Sequence, residues 1–93
     1  MTKREQALEF VLAEVAAGTE FPDATALAWS RFSVPSDQIR EDYDSTCLKA
    51  FSAMEEGQGS FAHYLSKAWI VADSRNRAII EKGWPHLIKR YGA

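Results

Sequence analysis

The chain has 93 residues, of which 46% are apolar and 26% charged, with a formal net charge of −2. That is one domain's worth of chain with room for a small core, and the composition excludes disordered and fibrous classes. No apolar run reaches the roughly 18 residues that a membrane span requires. The charged N-terminus Met1-Thr2-Lys3-Arg4-Glu5 does not read as a signal peptide, and a single cysteine, Cys47, excludes an internal disulfide. A cytoplasmic location is expected from this chemistry.

In chain order, Thr2 and Glu5 have the spacing of a capping box, which predicts a first helix starting there. Leu8, Val11, Leu12 and Val15 recur at helical spacing as its buried stripe, widened by Ala7 and Phe10. Gly18 suits the left-handed position after the helix. Thr19 to Asp23 is expected as a connection, because Pro22 tolerates only a first helical turn. A short second helix follows from about Asp23 to Phe32, with Ala24, Leu27, Ala28 and Phe32 (or Arg31) on one face. Ser33-Val34-Pro35 breaks it, since proline disfavours helix at the residue before it.

Ser36 is expected to cap a long third helix running to about Glu56. Ile39, Tyr43, Cys47, Ala50 and Met54 form its apolar stripe, with Leu48 and Phe51 alongside. Gly57-Gln58-Gly59 should stop it. Ser60 can cap a fourth helix with Phe61, Tyr64, Leu65, Ala68, Trp69 and Ala72 as its apolar face. Asp73-Ser74 offers a fresh cap, hence a kink, before Ala78, Ile79 and Ile80. Gly83 ends that segment, and Pro85 opens a last short helix whose Leu87, Ile88 and Tyr91 can fold back on the core. No strand alternation or hairpin signal occurs. The expected fold is all-α, a compact single-domain bundle of four or five helices spanning residues 1–93, with a helix-turn-helix-like corner at residues 23–44.

That corner is the most specific local pattern. Trp29, Val34 and Ile39 fall at the inward positions of a helix-turn-helix, and Ser33 takes the turn position where glycine is common. Ser36, Gln38 and Arg40 would then stand where base edges are contacted. Charge opposes this reading: residues 36–44 hold Asp37, Glu41, Asp42 and Asp44 against Arg40 alone, and affinity for duplex DNA comes largely from neutralised phosphates. An ordinary helical corner is the alternative.

Charge is also distributed unevenly along the chain. Residues 1–66 carry five Lys/Arg and eleven Asp/Glu, whereas residues 67–93 carry six and two. Lys67, Arg75, Arg77, Lys82, Lys89 and Arg90 form a candidate basic face for DNA or for an acidic protein surface, including that of another copy in a homodimer. The alternative is a solvated surface of snorkelling cations. Trp29, Trp69 and Trp84 read as core more readily than as base-stacking platforms. Trp84, beside Pro85, is a candidate protein contact. Catalysis finds no support. His63 and His86 have no ligand-spaced companions, Cys47 lies on an apolar stripe, and Gly57-Gln58-Gly59 follows a helix instead of a strand. Neither an enzyme nor a cofactor is expected.

Two stretches carry a resemblance. Gly18-Thr19-Glu20-Phe21-Pro22-Asp23-Ala24 leads to Ile39 through Tyr43-Asp44, and Ala72-Asp73-Ser74-Arg75-Asn76 leads to Trp84-Pro85-His86-Leu87. Together they resemble small helical proteins encoded on bacteriophages, prophages and plasmids, mostly of unassigned function. The resemblance implies a mobile-element origin and a role in regulation or in interference with host machinery. The sequence therefore points to a non-enzymatic binding protein. It is expected to be a DNA-binding regulator or, alternatively, a protein–protein interaction module such as an inhibitor of a host complex.

Overall fold

A computed structural model describes residues 1–57 and 59–92. Among these residues there are six α-helices and no strand: α1 (Lys3–Ala16), α2 (Phe21–Phe32), α3 (Ser36–Glu55), α4 (Phe61–Val71), α5 (Ser74–Gly83) and α6 (Pro85–Tyr91). One more helix is present than expected because the kink at Asp73-Ser74 is a complete break. Asp73 takes extended backbone geometry and caps a new helix, its Oδ1 accepting the Asn76 N–H at 2.8 Å. Gln58, within the expected Gly57-Gln58-Gly59 stop, lies outside the described residues. The chain divides into two compact units, Met1–Asp44 and Ser45–Ala93, with the boundary inside α3.

In the first unit, local chemistry fixes the helix ends. Thr2 Oγ1 accepts the Glu5 N–H and Glu5 Oε1 accepts the Thr2 N–H, both at 3.1 Å, completing the capping box. These two hydrogen bonds hold the Glu5 carboxyl below the ordinary glutamate range, the one from the Thr2 backbone N–H contributing most. At the other end Gly18 adopts φ 103°, and the Gly18 and Thr19 N–H groups reach back to the Val15 and Glu14 carbonyls at 3.0 and 2.9 Å. This double bond pattern is a Schellman closure, which needs a residue that tolerates positive φ. The connection is shorter than expected. Helix α2 already begins at Phe21, with Pro22 in its first turn.

Ala7, Val11 and Val15 of α1 pack against Ala24 and Ala28 of α2, with Val34, Ile39 and Tyr43 also buried. The two alanines let the helices approach closely. Leu8, Phe10 and Leu12 are only half-buried. Phe10 meets Phe32 edge-on at 5.7 Å, and Phe21 meets Tyr43 at 4.7 Å. The Arg4 guanidinium forks onto Asp42, with Nε to Oδ2 at 2.6 Å and Nη2 to Oδ1 at 3.0 Å. One of the carboxylates that made the start of α3 look strongly acidic is thus matched by a cation from α1.

The helix–break–helix at the expected corner is present: α2 ends at Phe32, three residues follow, and α3 begins at Ser36. Val34 and Ile39 are buried as expected. Trp29 is not an inward residue: it is 53% exposed, and Leu27 is exposed as well. The buried line of α2 runs through Ala24, Thr25 and Ala28, which turns both larger side chains outward. Ser36 is the first residue of α3 and not its cap; the Pro35 carbonyl accepts the first bond of the helix, from the Ile39 N–H.

Ser33 takes the left-handed conformation, φ 57° and ψ 34°. For an L-residue with a Cβ this costs about 1–2 kcal/mol. Ser33→Gly is therefore expected to raise stability by about 0.5–1 kcal/mol after the extra chain entropy of glycine is counted. A urea titration should show a higher midpoint with an unchanged slope. A lower midpoint would mean that the Ser33 side chain contributes more than its backbone conformation costs.

Candidate protein-binding face

The second unit is built around one side chain. Trp69 of α4 stacks on Phe51 of α3, with ring centroids 4.6 Å apart and planes 8° from parallel. The Arg77 guanidinium carbon lies 4.1 Å over the same indole. Two groups stacked this closely cannot share one face, so Phe51 and Arg77 bracket the ring. The indole Nε1–H donates to Glu81 Oε2 at 2.9 Å. Arg77 also donates from Nε to the Trp69 carbonyl and from Nη2 to the Ile70 carbonyl, each at 2.9 Å. Those are among the last carbonyls of α4, where the Trp69 carbonyl also accepts the Ala72 N–H at 3.2 Å. Arg77 is thus engaged in closing α4, and it is not a freely projecting member of the expected basic face.

Helix α4 is set at its start by Ser60, whose Oγ accepts the His63 N–H at 3.1 Å. The His63 Nδ1 lies 2.6 Å from the Glu55 carbonyl oxygen, which ties the end of α3 to the first turn of α4. From that anchored start the buried line runs Ala62, Leu65, Ser66, Trp69. This is the i, i+3, i+4, i+7 pattern of one helix face. Ser66 sits fully inside because its hydroxyl donates to the His63 carbonyl at 2.7 Å, so no polar group is stranded.

This phasing corrects the expected apolar face of α4. Leu65 and Trp69 are buried, but Phe61, Tyr64 and Ala68 are exposed, with Tyr64 at 63%. Ile70 and Val71 are exposed too, Val71 at 85%. The outward side of α4 therefore carries Phe61, Tyr64, Ala68 and Val71, with Ile70 exposed on another side and Lys67 as the only charged residue of the helix. Sequence reasoning missed this surface, although a signal was available. Eight of the eleven residues of α4 are apolar, and a helix apolar on all sides either is enclosed or has a partner.

Lys67 on α4, Arg75 and Lys82 on α5, and Lys89 and Arg90 on α6 are exposed. Arg75 and Lys82 lie on a single helix and flank the exposed Ile79 on its outer side. The Arg90 guanidinium lies 5.7 Å over the Tyr91 ring. Trp84, between α5 and α6, is half-buried, and its ring stands 5.7 Å from that of Phe61. It borders the exposed face of α4 through this contact. In the first unit Ser36 is exposed and Gln38 is half-buried. Arg40 is exposed, with its guanidinium 4.5 Å over the Phe21 ring.

Neither carboxylate of residues 67–93 is free of internal work: Asp73 caps α5 and Glu81 receives the Trp69 indole. Among the described residues, no cluster of three or more His, Cys, Asp or Glu is placed to hold a metal ion. Cys47 is buried on α3, where the stripe Ile39, Tyr43, Cys47, Ala50 and Met54 is inside as expected and Leu48 is exposed. No helix among the described residues is long and apolar enough to cross a membrane. Comparison of the chain with protein families, with curated proteins and with solved structures finds no match.

Proposed function

We propose that the chain is a non-enzymatic binding protein that engages another protein through the outward face of α4. The observation that carries this reading is the exposure of Phe61, Tyr64 and Val71 along one face of a short helix bearing a single charge. Isolated surface hydrophobes are ordinary, but several on one face of a helix mark a contact surface. Enclosing each such side chain is worth about 1.5–3 kcal/mol at full burial. The Phe61–Trp84 contact extends the face with a second aromatic, the residue class that dominates binding energy in protein interfaces.

The test is a photo-crosslinking side chain placed at Tyr64, with Ser30 on α2 as the control position, in cells that carry the chain. One defined protein, identified by mass, should be captured from position 64 and not from position 30. Its yield should fall at least roughly tenfold when Val71→Asp is added, a loss of about 1.4 kcal/mol. Equal labelling from both positions, or capture that ignores Val71→Asp, would end the reading.

Helix–break–helix geometry supports a second reading, duplex-DNA contact by the start of α3 through Ser36, Gln38 and Arg40. The three-residue break and the buried Val34 and Ile39 favour it. Charge weighs the other way, since residues 1–44 hold four Lys/Arg and nine Asp/Glu and Arg40 already lies over Phe21. A band-shift titration at two salt concentrations decides this. Binding that weakens steeply with salt supports DNA contact, and no shift at low salt removes it.

A further inference from the structure

We infer that the partner taken by the α4 face is an acidic amphipathic helix, with apolar side chains along one stripe and carboxylates beside it. This rests on the protein-binding reading above and adds the chemistry of the occupant.

The exposed charge of this region is predominantly positive. Lys67 stands on α4 itself, and Arg75, Lys89 and Arg90 are exposed on the helices that follow. Lys67 and Arg75 have no carboxylate within ion-pair distance among the described residues. Of the two carboxylates of residues 67–93, Glu81 is half-buried on the Trp69 indole, whereas Asp73 is exposed and accepts the Asn76 N–H. The exposed carboxylates that precede α4, Glu55 and Glu56, lie at its start, where His63 meets the Glu55 carbonyl. From the middle of α4 onward exposed cations therefore outnumber exposed carboxylates, of which Asp73 is the one among the described residues. A surface of this kind attracts carboxylates and repels a basic partner.

The shape of the patch specifies a helix. Phe61, Tyr64, Ala68 and Val71 present an apolar strip along the eleven residues of α4, roughly 16 Å long at 1.5 Å per residue. Such a strip suits a partner that offers anchors at i, i+3, i+4 and i+7. Strand addition needs an exposed sheet edge, and the described residues contain no strand. A symmetric pairing of α4 with α4 from a second copy would bring Lys67 and its neighbouring cations towards their equivalents, which opposes that arrangement. A phosphate backbone would match the cations but leave Phe61, Tyr64 and Val71 uncovered.

The experiment titrates the intact, isotope-labelled chain with a Leu/Glu amphipathic helical peptide, and separately with its Leu/Lys counterpart, short duplex DNA and phosphatidylglycerol vesicles. The Leu/Glu peptide should move the amide signals of α4 and bind at least about tenfold more tightly than the Leu/Lys peptide. Added salt should weaken it. Val71→Asp and the pair Lys67→Glu with Arg75→Glu should each weaken it about fivefold or more. All three positions are solvent-exposed, so circular dichroism should remain that of the parent chain.

Equal affinity for both peptides overturns the acidic assignment while leaving an apolar interface standing. Tighter binding of DNA or vesicles overturns the inference in favour of phosphate. Self-association of the chain alone, blocked by Val71→Asp, assigns the face to a second copy and also overturns it. Absence of peptide binding overturns the inference too. The wider protein-binding reading is decided separately by the crosslink at Tyr64.

Discussion

Replacing Trp69 with alanine is expected to lower the unfolding free energy by about 3–5 kcal/mol, a large share of the total for a chain of this size. The indole is almost wholly enclosed, with Phe51 stacked on one face and the Arg77 guanidinium over the other. Truncation removes both contacts at once and opens a void that the neighbouring helices cannot fill without moving. It also removes the Nε1–H that donates to Glu81, leaving that carboxylate without the indole donor. Trp69→Phe separates these effects. The ring stack and most of the volume survive, so the expected loss is about 1.5–3 kcal/mol, that of one hydrogen bond to a charged group. Urea titrations followed by far-ultraviolet circular dichroism measure both. If alanine and phenylalanine cost the same, packing around the indole is not what holds α4 and α5. If alanine costs under about 1 kcal/mol, a value typical of surface positions, the enclosed site is wrong as described.

The contrast between what could and could not be read from the sequence follows the range of the interactions involved. Capping at Thr2, Ser60 and Asp73 involves a side chain and a backbone N–H three residues away, so the signal and the structure occupy the same short stretch. Gly18 is legible for the same reason, since its positive φ is a local demand. The stripe of α3 was also legible, because polar residues on its other sides leave only one way to turn it. Helix α4 lacks that contrast. With Phe61, Tyr64, Ala68 and Val71 on one side and Ala62, Leu65 and Trp69 on the other, apolar spacing alone fits two faces. The buried one is selected by Phe51 and by a serine, Ser66, that satisfies its own hydroxyl. Helix α5 shows the opposite problem. It has no fully buried residue, and Ile79 is 60% exposed. Arg77 and Glu81 hold it to α4 instead, two residues that a count of surface charge places in solvent. The candidate binding face was hidden for the same reason: it is the side of α4 that the core did not take.

Replacing Ile88 with alanine is expected to release α6 without unfolding the rest of its unit. Ile88 is the only fully buried residue of that helix. Leu87 and Tyr91 are half-buried and contribute less. Truncating a buried isoleucine costs about 2–5 kcal/mol, and a helix of seven residues has no stability of its own to offset the loss. The chain beyond it is closely seated: a Cβ added at Gly92 would lie 2.7 Å from the Ile88 carbonyl oxygen and 2.9 Å from Thr46 Cγ2. Gly92 therefore admits the approach of this turn to α3, and Ile88 anchors it. Amide hydrogen exchange is the direct measurement. The Gly92 N–H, bonded to the Ile88 carbonyl at 2.8 Å, should exchange at least roughly thirtyfold faster in Ile88→Ala, the equivalent of about 2 kcal/mol. Amides in the middle of α4, held by the Trp69 cluster, should keep their parent rates. Gly92→Ala should reach the same state from the other side, because its methyl displaces Thr46 at a cost of about 1–3 kcal/mol. Equal acceleration in α4 and α6 would show that the last helix opens only together with the core around Trp69. Anchoring by a single isoleucine predicts instead that α6 opens first and alone.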